Sequence, residues 1–280
     1  MKRICCDLMV ADMKLRIFSD CDLPFQECLK EFYSDFDSAD IAYKVVNVNN
    51  PDDFIPSTAK EIYGGSGVRV YELDGRIYHR YSYGGELSVL CLGEEKTVYV
   101  SVDELSPINI QKSLALETQI IDFGGIFMHA SLIKVGGRGI IFSAPSGVGK
   151  STQASLWEKH RGAEILNGDR AAIRLVDGKW ISYGSPWAGS SGIYHNDNAE
   201  LLAIVFLSQA SENTVTRLSG AKAFNAMMKG GILPYWSKEK MLAACNILEK
   251  LLSDVPVYEF ACTPDLSAVE ALEKFIQEGI

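Results

Sequence analysis

The sequence predicts an α/β protein in two parts: a smaller, strand-rich α+β part over residues 1–112 and a larger mixed part over residues 113–280. Two observations lead to this fold class. Short runs of alternating apolar residues dominate the first part, which is typical of antiparallel strands. In the second part, an apolar strand run, a glycine-rich loop and a helical pattern follow one another directly between residues 139 and 160.

The composition excludes several classes of protein. Of the 280 residues, 47% are hydrophobic, which is enough to bury a core and rules out a mainly disordered chain. The net charge of −9 argues against a nucleic-acid partner, because such proteins hold phosphates with a surplus of Lys and Arg. The longest apolar run, at residues 201–207, is far shorter than the roughly 20 residues of a membrane span, so no membrane partner is expected.

Cysteine usage and the N-terminal residues together predict a cytoplasmic protein. The seven cysteines include no C-x-x-C pair and no arrangement with histidines at zinc-ligand spacing. Reduced thiols are the ordinary state of such cysteines in the cytosol. The charged residues Asp7, Asp12 and Lys14 interrupt any apolar core that a signal peptide would need.

The first part is predicted to consist mainly of hairpins. Asp74-Gly75 lies between two alternating runs, and this dipeptide suits a type I′ turn. A weak helical pattern covers Pro24 to Phe36, and a connecting helix is predicted from Pro107 to Leu116. The alternating tyrosines and arginines are expected to be cross-strand packing pairs. Strands are predicted at residues 15–18, 42–48, 68–73, 76–81, 87–92 and 97–102.

The glycine-rich segment at residues 143–152 carries the strongest functional signal. It follows the apolar run 139–142 and precedes a helix, which is the context that a phosphate-binding loop requires. Glycines let the backbone amides point at phosphate oxygens, and the helix N-terminus adds partial positive charge. Ala144 stands where the general pattern G-x-x-x-x-G-K-[ST] has glycine. The residues predicted to bind the nucleotide are Ser146, Gly147, Val148, Gly149, Lys150, Ser151 and Thr152.

Two polar positions are predicted to lie close to this loop. The strand run 126–135 and the turn Gly136-Gly137 form a hairpin with the loop strand, which places His129 on the neighbouring strand. Downstream, the short strand 163–166 leads into Asn167-Gly168-Asp169-Arg170. A carboxylate at this point is where an aspartate that organises Mg²⁺ is expected. The alternative is a plain turn aspartate, since Asn-Gly-Asp is also turn chemistry.

A loop after the candidate aspartate has two possible roles, and the segments from residue 221 onward are predicted to be scaffold. Trp187 lies in a loop of small residues, where it could stack on a base or be a buried anchor. The apolar stripe of the second late helix is predicted to include Leu242, and Ser267 is the predicted N-cap of the terminal helix. Strands are predicted at 171–175, 180–183, 201–207 and 257–261, and helices at 221–228, 238–252 and 267–277.

His129, the loop 146–152 and the segment 167–170 together resemble the C-terminal domain of HPr serine kinase/phosphorylase and, more closely, the HPr-kinase-like proteins. The resemblance covers roughly residues 120–260. It implies a phosphoenolpyruvate-carboxykinase-like P-loop fold, a mixed sheet with hairpins beside the loop. The family pattern has two adjacent aspartates where this chain has Gly168-Asp169.

The resemblance implies ATP and Mg²⁺ as cofactors. Lys150, Asp169 and His129 take the catalytic roles, and Ser151 and Asp169 the metal-binding roles. The first hypothesis is a kinase that phosphorylates a hydroxyl, with a serine of a protein or peptide as the expected acceptor. The second is a nucleotide-binding regulator or slow NTPase that acts with a partner, and a carboxykinase is a weaker third. The sequence leaves open whether the chain forms a homo-oligomer.

Overall fold

The structure, a computed structural model, describes residues 3–19, 23, 27–65, 67–93, 95–101, 112–187 and 189–278. Its contacts divide the chain into two units, Met1–Gln119 with Tyr235–Lys238, and Ile120–Pro234 with Glu239–Ile280. Residues 102–111, which hold most of the helix predicted from Pro107, lie outside the described residues, directly before the predicted boundary at residue 112.

The first unit is built on one mixed sheet. Within the described residues, eight strands hydrogen-bond in the order β1-β2-β3-β8-β7-β6-β5-β4. Strand β3 pairs in parallel with β2 and β8, and the other neighbours are antiparallel. The strands are β1 (Arg3–Val10), β2 (Met13–Ser19), β3 (Ile41–Asn47), β4 (Lys60–Gly65), β5 (Val68–Leu73), β6 (Arg76–Tyr83), β7 (Glu86–Leu92) and β8 (Lys96–Val100).

The hairpin predicted at Asp74-Gly75 is confirmed. Asp74 and Gly75 both have positive φ, +49° and +76°, as a type I′ turn requires. The strands predicted from alternation are present within a few residues, whereas β1 and β4 were not predicted. The helical pattern at Pro24–Phe36 corresponds to a short 3-10 helix, Glu27–Phe32. The unit also contains a 3-10 helix at Pro51–Phe54 and the helix α1 (Leu116–Gln119).

Among its described residues, the second unit contains a larger mixed sheet and four helices. The helices are α2 (Lys150–Arg161), α3 (Gly220–Gly230), α4 (Lys238–Asp254) and α5 (Leu266–Glu278), with 3-10 helices at Ile120–Phe123 and Gly189–Ser191. The strands are β9 (Gly125–Val135), β10 (Arg138–Ser143), β11 (Glu164–Asn167), β12 (Arg170–Val176), β13 (Lys179–Tyr183), β14 (Asn198–Gln209), β15 (Thr214–Leu218), β16 (Gly231–Ile232) and β17 (Val257–Cys262).

The strands around the glycine-rich loop form a hydrogen-bonded ring. Strand β10 pairs with β9 through the predicted Gly136-Gly137 turn, and β9 pairs with β12. Strand β12 pairs with β13, β13 with β14, and β14 returns to pair in parallel with β10. The protein is therefore α/β with mixed sheets, and hairpins lie on one side of the loop strand.

Two apolar clusters cover the opposite faces of this sheet. Side chains alternate between faces along a strand, so Ile141 of β10 points away from its neighbour Phe142. Ile141 packs in one cluster with Met227 of α3, and Phe142 packs in the other with Trp157 of α2. Helix α2 and helix α3 therefore lie on opposite faces of the sheet, beside the same loop strand.

Two sequence predictions about the late helices are wrong. Leu242 is 59% exposed, although Leu248 and Leu251 of the same predicted stripe are buried, together with Ala244 of α4. Helix α5 is capped by Asp265, whose carboxylate accepts a hydrogen bond from the amide of Ser267 at 2.9 Å. Asp is as good a capping residue as Ser, and the sequence offers both, two residues apart.

No helix among the described residues is long and apolar enough to cross a membrane.

Candidate functional site

The glycine-rich loop connects the end of β10 to the first residue of α2. Gly147 and Gly149 have φ of +80° and +122°, a region that glycine adopts at little cost. Gly149 occupies the N-cap position, and no described side chain caps the helix there. The first amides of α2 are thus able to bind an anion at the positive end of the helix dipole.

Lys150 is held beneath the loop by the backbone. Its side chain is almost buried, and Nζ donates a hydrogen bond to the carbonyl oxygen of Ala144 at 2.9 Å. Burial lowers the pKa of Lys150 from its ordinary value, and the carboxylate of Asp169 partly offsets this effect. Ala144, which departs from the general motif, is itself buried and supplies the carbonyl that positions the lysine.

The other predicted members of the loop occupy its open side. Together with Lys150, the predicted loop residues lie around the start of one helix. Ser151 and Thr152 are exposed in the first turn of α2, and Val148 packs partly against the apolar cluster under α2. Ser146 and Gly147 are exposed at the tip of the loop.

Asp169 and His129 meet beside this loop because β9 pairs with β12. The register places Arg170 opposite His129, so the residue before Arg170 lies at the same end of the strand pair. The distance from His129 Nε2 to Asp169 Oδ1 is 3.5 Å, and that from Arg170 Nε to Asp169 Oδ2 is 3.7 Å. The structure therefore brings the two predicted residues into contact.

The surroundings of Asp169 favour its charged form. The hydrogen-bonding interaction with His129 lowers the pKa of Asp169, and electrostatic interactions with Arg170 and Lys150 lower it further, against the opposing effect of burial. Asp169 is consequently ionised at neutral pH. Because Lys150 and Asp169 each shift the other's pKa, the loop lysine and the carboxylate belong to one electrostatic site.

Asn167 builds the turn that presents Asp169, a role that the sequence analysis missed. Its side chain is fully buried, and Oδ1 accepts hydrogen bonds from the amides of Asp169 and Arg170 at 2.8 and 2.7 Å. Its Nδ2 donates to the carbonyl oxygens of Ser185 and Trp187 at 2.9 and 3.1 Å. One amide side chain therefore joins the aspartate turn to the loop that follows β13.

Trp187 is a buried anchor of that following loop. It is 3% exposed, and its ring lies edge-on to Phe127 with the ring centroids 5.2 Å apart. The guanidinium of Arg170 lies over the same ring at 5.5 Å, a favourable cation–π arrangement. Of the two roles considered for Trp187, burial supports the anchor.

The loop backbone also touches the carboxylate of Asp169. Gly189 has φ of +56°, and a Cβ atom at this position would lie 2.6 Å from the Cβ and 2.9 Å from Oδ1 of Asp169. Contacts this short do not occur between real side chains, so only glycine fits here without a shift. Asp169 is thereby confined between Gly189 and His129.

Comparisons with known proteins give a distant structural likeness. No protein-family model matches the sequence, and no curated protein matches it. The solved structure of the HPr(Ser) kinase/phosphatase from Coxiella burnetii is similar over 55% of this chain and 93% of that chain, with 11% sequence identity and a TM-score of 0.32. The function proposed for this chain therefore rests on the geometry of the site.

The oxygen donors at the site suit a magnesium ion bound together with a nucleotide. Mg²⁺ usually takes one or two protein oxygens and completes its shell with phosphate oxygens and water. The hydroxyl of Ser151 and the ionised carboxylate of Asp169 are donors of this kind. Among the described residues, no group of three or more His, Cys, Asp or Glu is arranged to hold a metal without such help.

Proposed function

We propose that the chain binds ATP with Mg²⁺ at residues 143–152 and transfers the γ-phosphoryl group to a hydroxyl, with a serine of a protein or peptide as the acceptor. The observation that carries this proposal is the contact of Asp169 with His129, at 3.5 Å, on the strand that pairs with the loop strand β10. We assign the second unit to the phosphoenolpyruvate-carboxykinase-like P-loop fold, on the basis of the hairpins beside the loop strand.

In the proposed reaction, the loop residues hold the triphosphate. The amides around Gly147 and Gly149 and the ammonium group of Lys150 offset the charge on the phosphates, most strongly as it develops in the transition state. Ser151 and Asp169 would hold Mg²⁺, which supplies further charge neutralisation when it is bound. The phosphoryl group would then lie between the loop and Asp169.

Asp169 is the proposed proton acceptor. The acceptor oxygen forms a bond to the γ-phosphorus. At the same time the bond between that phosphorus and the β,γ-bridging oxygen breaks, and ADP leaves. The hydroxyl proton passes to the carboxylate of Asp169, which is ionised and therefore able to receive it. His129 and the buried Asn167 fix the position of this carboxylate.

A nucleotide-binding regulator or slow NTPase is the second candidate. It is favoured by Gly168, because the resembled family has a second carboxylate at this position. With one carboxylate, proton acceptance and metal binding both depend on Asp169. In that case the attacking hydroxyl belongs to water, and free phosphate is the product.

The proposal is tested with γ-labelled ATP and Mg²⁺ in the presence of serine-containing peptides. Label on a peptide supports the kinase, and release of free phosphate alone supports the NTPase. Lys150→Ala is expected to weaken ATP binding by about 100-fold, since it removes hydrogen bonds to a charged ligand. Lys159→Ala, at an exposed position of the same helix, is the matched control and should bind ATP as the wild type does.

Calorimetry with the purified protein and Mg²⁺ gives the contradicting result most directly. If neither ATP nor GTP binds, or if Lys150→Ala binds as tightly as Lys159→Ala, the loop is not a nucleotide site and both candidate functions fail.

A further inference from the structure

A cavity of about 740 Å³ opens next to the glycine-rich loop, on the α3 side of the sheet. The strand side of its wall includes His129, Ser143 and Phe206. Ala144 and Pro145 also line the cavity, so it adjoins the glycine-rich segment directly. Its volume is within the range of ligand pockets.

Helix α3 gives this cavity a positive edge. Lys222 and Lys229 line it together with Asn225, and all three side chains are exposed. The two lysines are seven residues apart, which places them on one face of the helix and about 10 Å apart along its axis. No ion pair of the described residues involves either lysine.

The charge of this surface is opposite to that of the whole chain. Helix α3 contains no Asp or Glu, whereas the chain has a net charge of −9. Among the described residues that line the cavity, the two lysines are accompanied by one carboxylate, that of Glu259. The local surplus is therefore positive, and it favours a ligand with negative charge.

The cavity is also joined to the proposed site of transfer. Ser143 Oγ, at the start of the loop, donates a hydrogen bond to the carbonyl oxygen of His129 at 3.0 Å. The end of α3 lies tightly against this point, since a Cβ atom on Gly230 would be 2.9 Å from Ser143 Oγ. The lysine-bearing helix is thus fixed next to the strand that carries His129.

We propose that this cavity binds the acceptor, and that the acceptor is an acidic peptide segment. Its carboxylates pair with Lys222 and Lys229, and its serine lies at the His129 end of the cavity, from which Asp169 can be reached. The assignment of the serine rests on the proposed kinase function, whereas the charge-selective binding does not. The extended reach between the two lysines fits a peptide chain better than a single small anion.

The test uses the full chain and two short labelled peptides, each with a central serine, one flanked by glutamates and one by lysines. Binding is followed by fluorescence anisotropy. The wild type is expected to bind the glutamate peptide at least about tenfold more tightly, and the double variant Lys222→Glu/Lys229→Glu should reverse the preference, because like charges across an interface are strongly unfavourable. Lys274→Glu, an exposed lysine of α5, is the matched control and should keep the wild-type preference.

Three results distinguish the alternatives. If the double variant keeps the wild-type preference, the docking proposal is overturned. If the double variant instead loses ATP affinity in calorimetry, the cavity serves the nucleotide, and the docking proposal is again wrong. If the glutamate peptide binds in the charge-dependent way but never receives label from ATP, the docking surface stands and the kinase function fails.

Discussion

In the first unit, two arginine–aspartate pairs are short and bidentate, whereas the contacts of Asp169 with its side-chain neighbours in the second unit are longer. Arg16 contacts both carboxylate oxygens of Asp7 at 2.8 and 2.6 Å, and Arg80 contacts those of Asp52 at 2.6 and 2.9 Å. The contacts of Asp169 with His129 and Arg170 measure 3.5 and 3.7 Å.

This difference separates charges that maintain structure from charges that are available for chemistry. A bidentate pair holds both carboxylate oxygens against the guanidinium in one fixed geometry, so the carboxylate is not free to approach a ligand. A carboxylate with longer contacts keeps lone pairs for a metal ion or a hydroxyl proton. The comparison therefore predicts that substitutions in these two bidentate pairs affect stability, whereas substitution of Asp169 affects turnover.

The largest expected effect is that of Asp169→Asn. The asparagine fills the same space but cannot accept a proton, so transfer from ATP should fall by about 10²–10⁴-fold while much of the ATP binding remains. The measurement combines label transfer with calorimetry. Asp177→Asn is the control, because Asp177 lies in a hairpin turn with φ of +49°, which asparagine tolerates well. Unchanged turnover in Asp169→Asn would remove the carboxylate from the mechanism.

The second prediction concerns His79 of the first unit, which is neutral in the folded chain, whereas Asp169 of the second unit is charged. Burial lowers the pKa of His79 to about 3, so the unfolded chain binds a proton at a pH where the folded chain does not. Above pH about 6.5, His79 is neutral in both the folded and the unfolded chain, and it does not favour unfolding. As the pH falls from there toward 3, protonation of the unfolded chain lowers the free energy of unfolding. The free energy of unfolding should drop by about 2 kcal/mol between about pH 8 and about pH 5 from this group.

Urea unfolding of His79→Asn measures this contribution. The variant cannot titrate at this position, so its stability should depend less on pH than that of the wild type, whatever its absolute stability. His160→Asn, on helix α2, is the control. Equal pH dependence in the wild type and His79→Asn would show that His79 is not held neutral by the fold.

The smallest effect is expected from breaking the Arg80–Asp52 pair. Both side chains are partly exposed, at 27% and 38%, so solvent screens the pair, and Asp52→Asn should cost about 1 kcal/mol of unfolding free energy or less. ATP binding should not change. Asp53→Asn, in the same 3-10 helix, is the control, since its hydrogen bond from Asn50 can be kept by the new amide oxygen. A loss of ATP binding in Asp52→Asn would contradict the division of roles.

The sequence predicts those parts of the fold that depend on neighbouring residues. Asp74-Gly75 and Gly136-Gly137 select their turns locally, so the hairpins around them are correctly placed. Strand β4 was missed because nearly all of its side chains are exposed and it has no apolar alternation. The parallel pairing of β10 with β14 joins segments about 60 residues apart, and no local signal specifies such a pairing.

The residues of the candidate site were likewise predicted only in part from the sequence. Lys150, Asp169 and His129 were predicted as site residues from the residue types, the strand order and the resemblance to a known family. Asn167 was missed because Asn-Gly is also an ordinary turn, and its bonds to Ser185 and Trp187 exist only once β12 and β13 have paired. An uncharged polar residue two positions before the candidate aspartate was the signal that could have indicated it.

The contact between Gly189 and Asp169 has a consequence for how this protein can change over evolutionary time. A methyl group at position 189 would occupy space that the carboxylate already fills, so the two positions cannot mutate independently. Descendants of this chain that acquire a side chain at 189 should also have replaced the aspartate or lengthened the loop. Such paired replacements would mark the lineages that have lost the carboxylate of this candidate site.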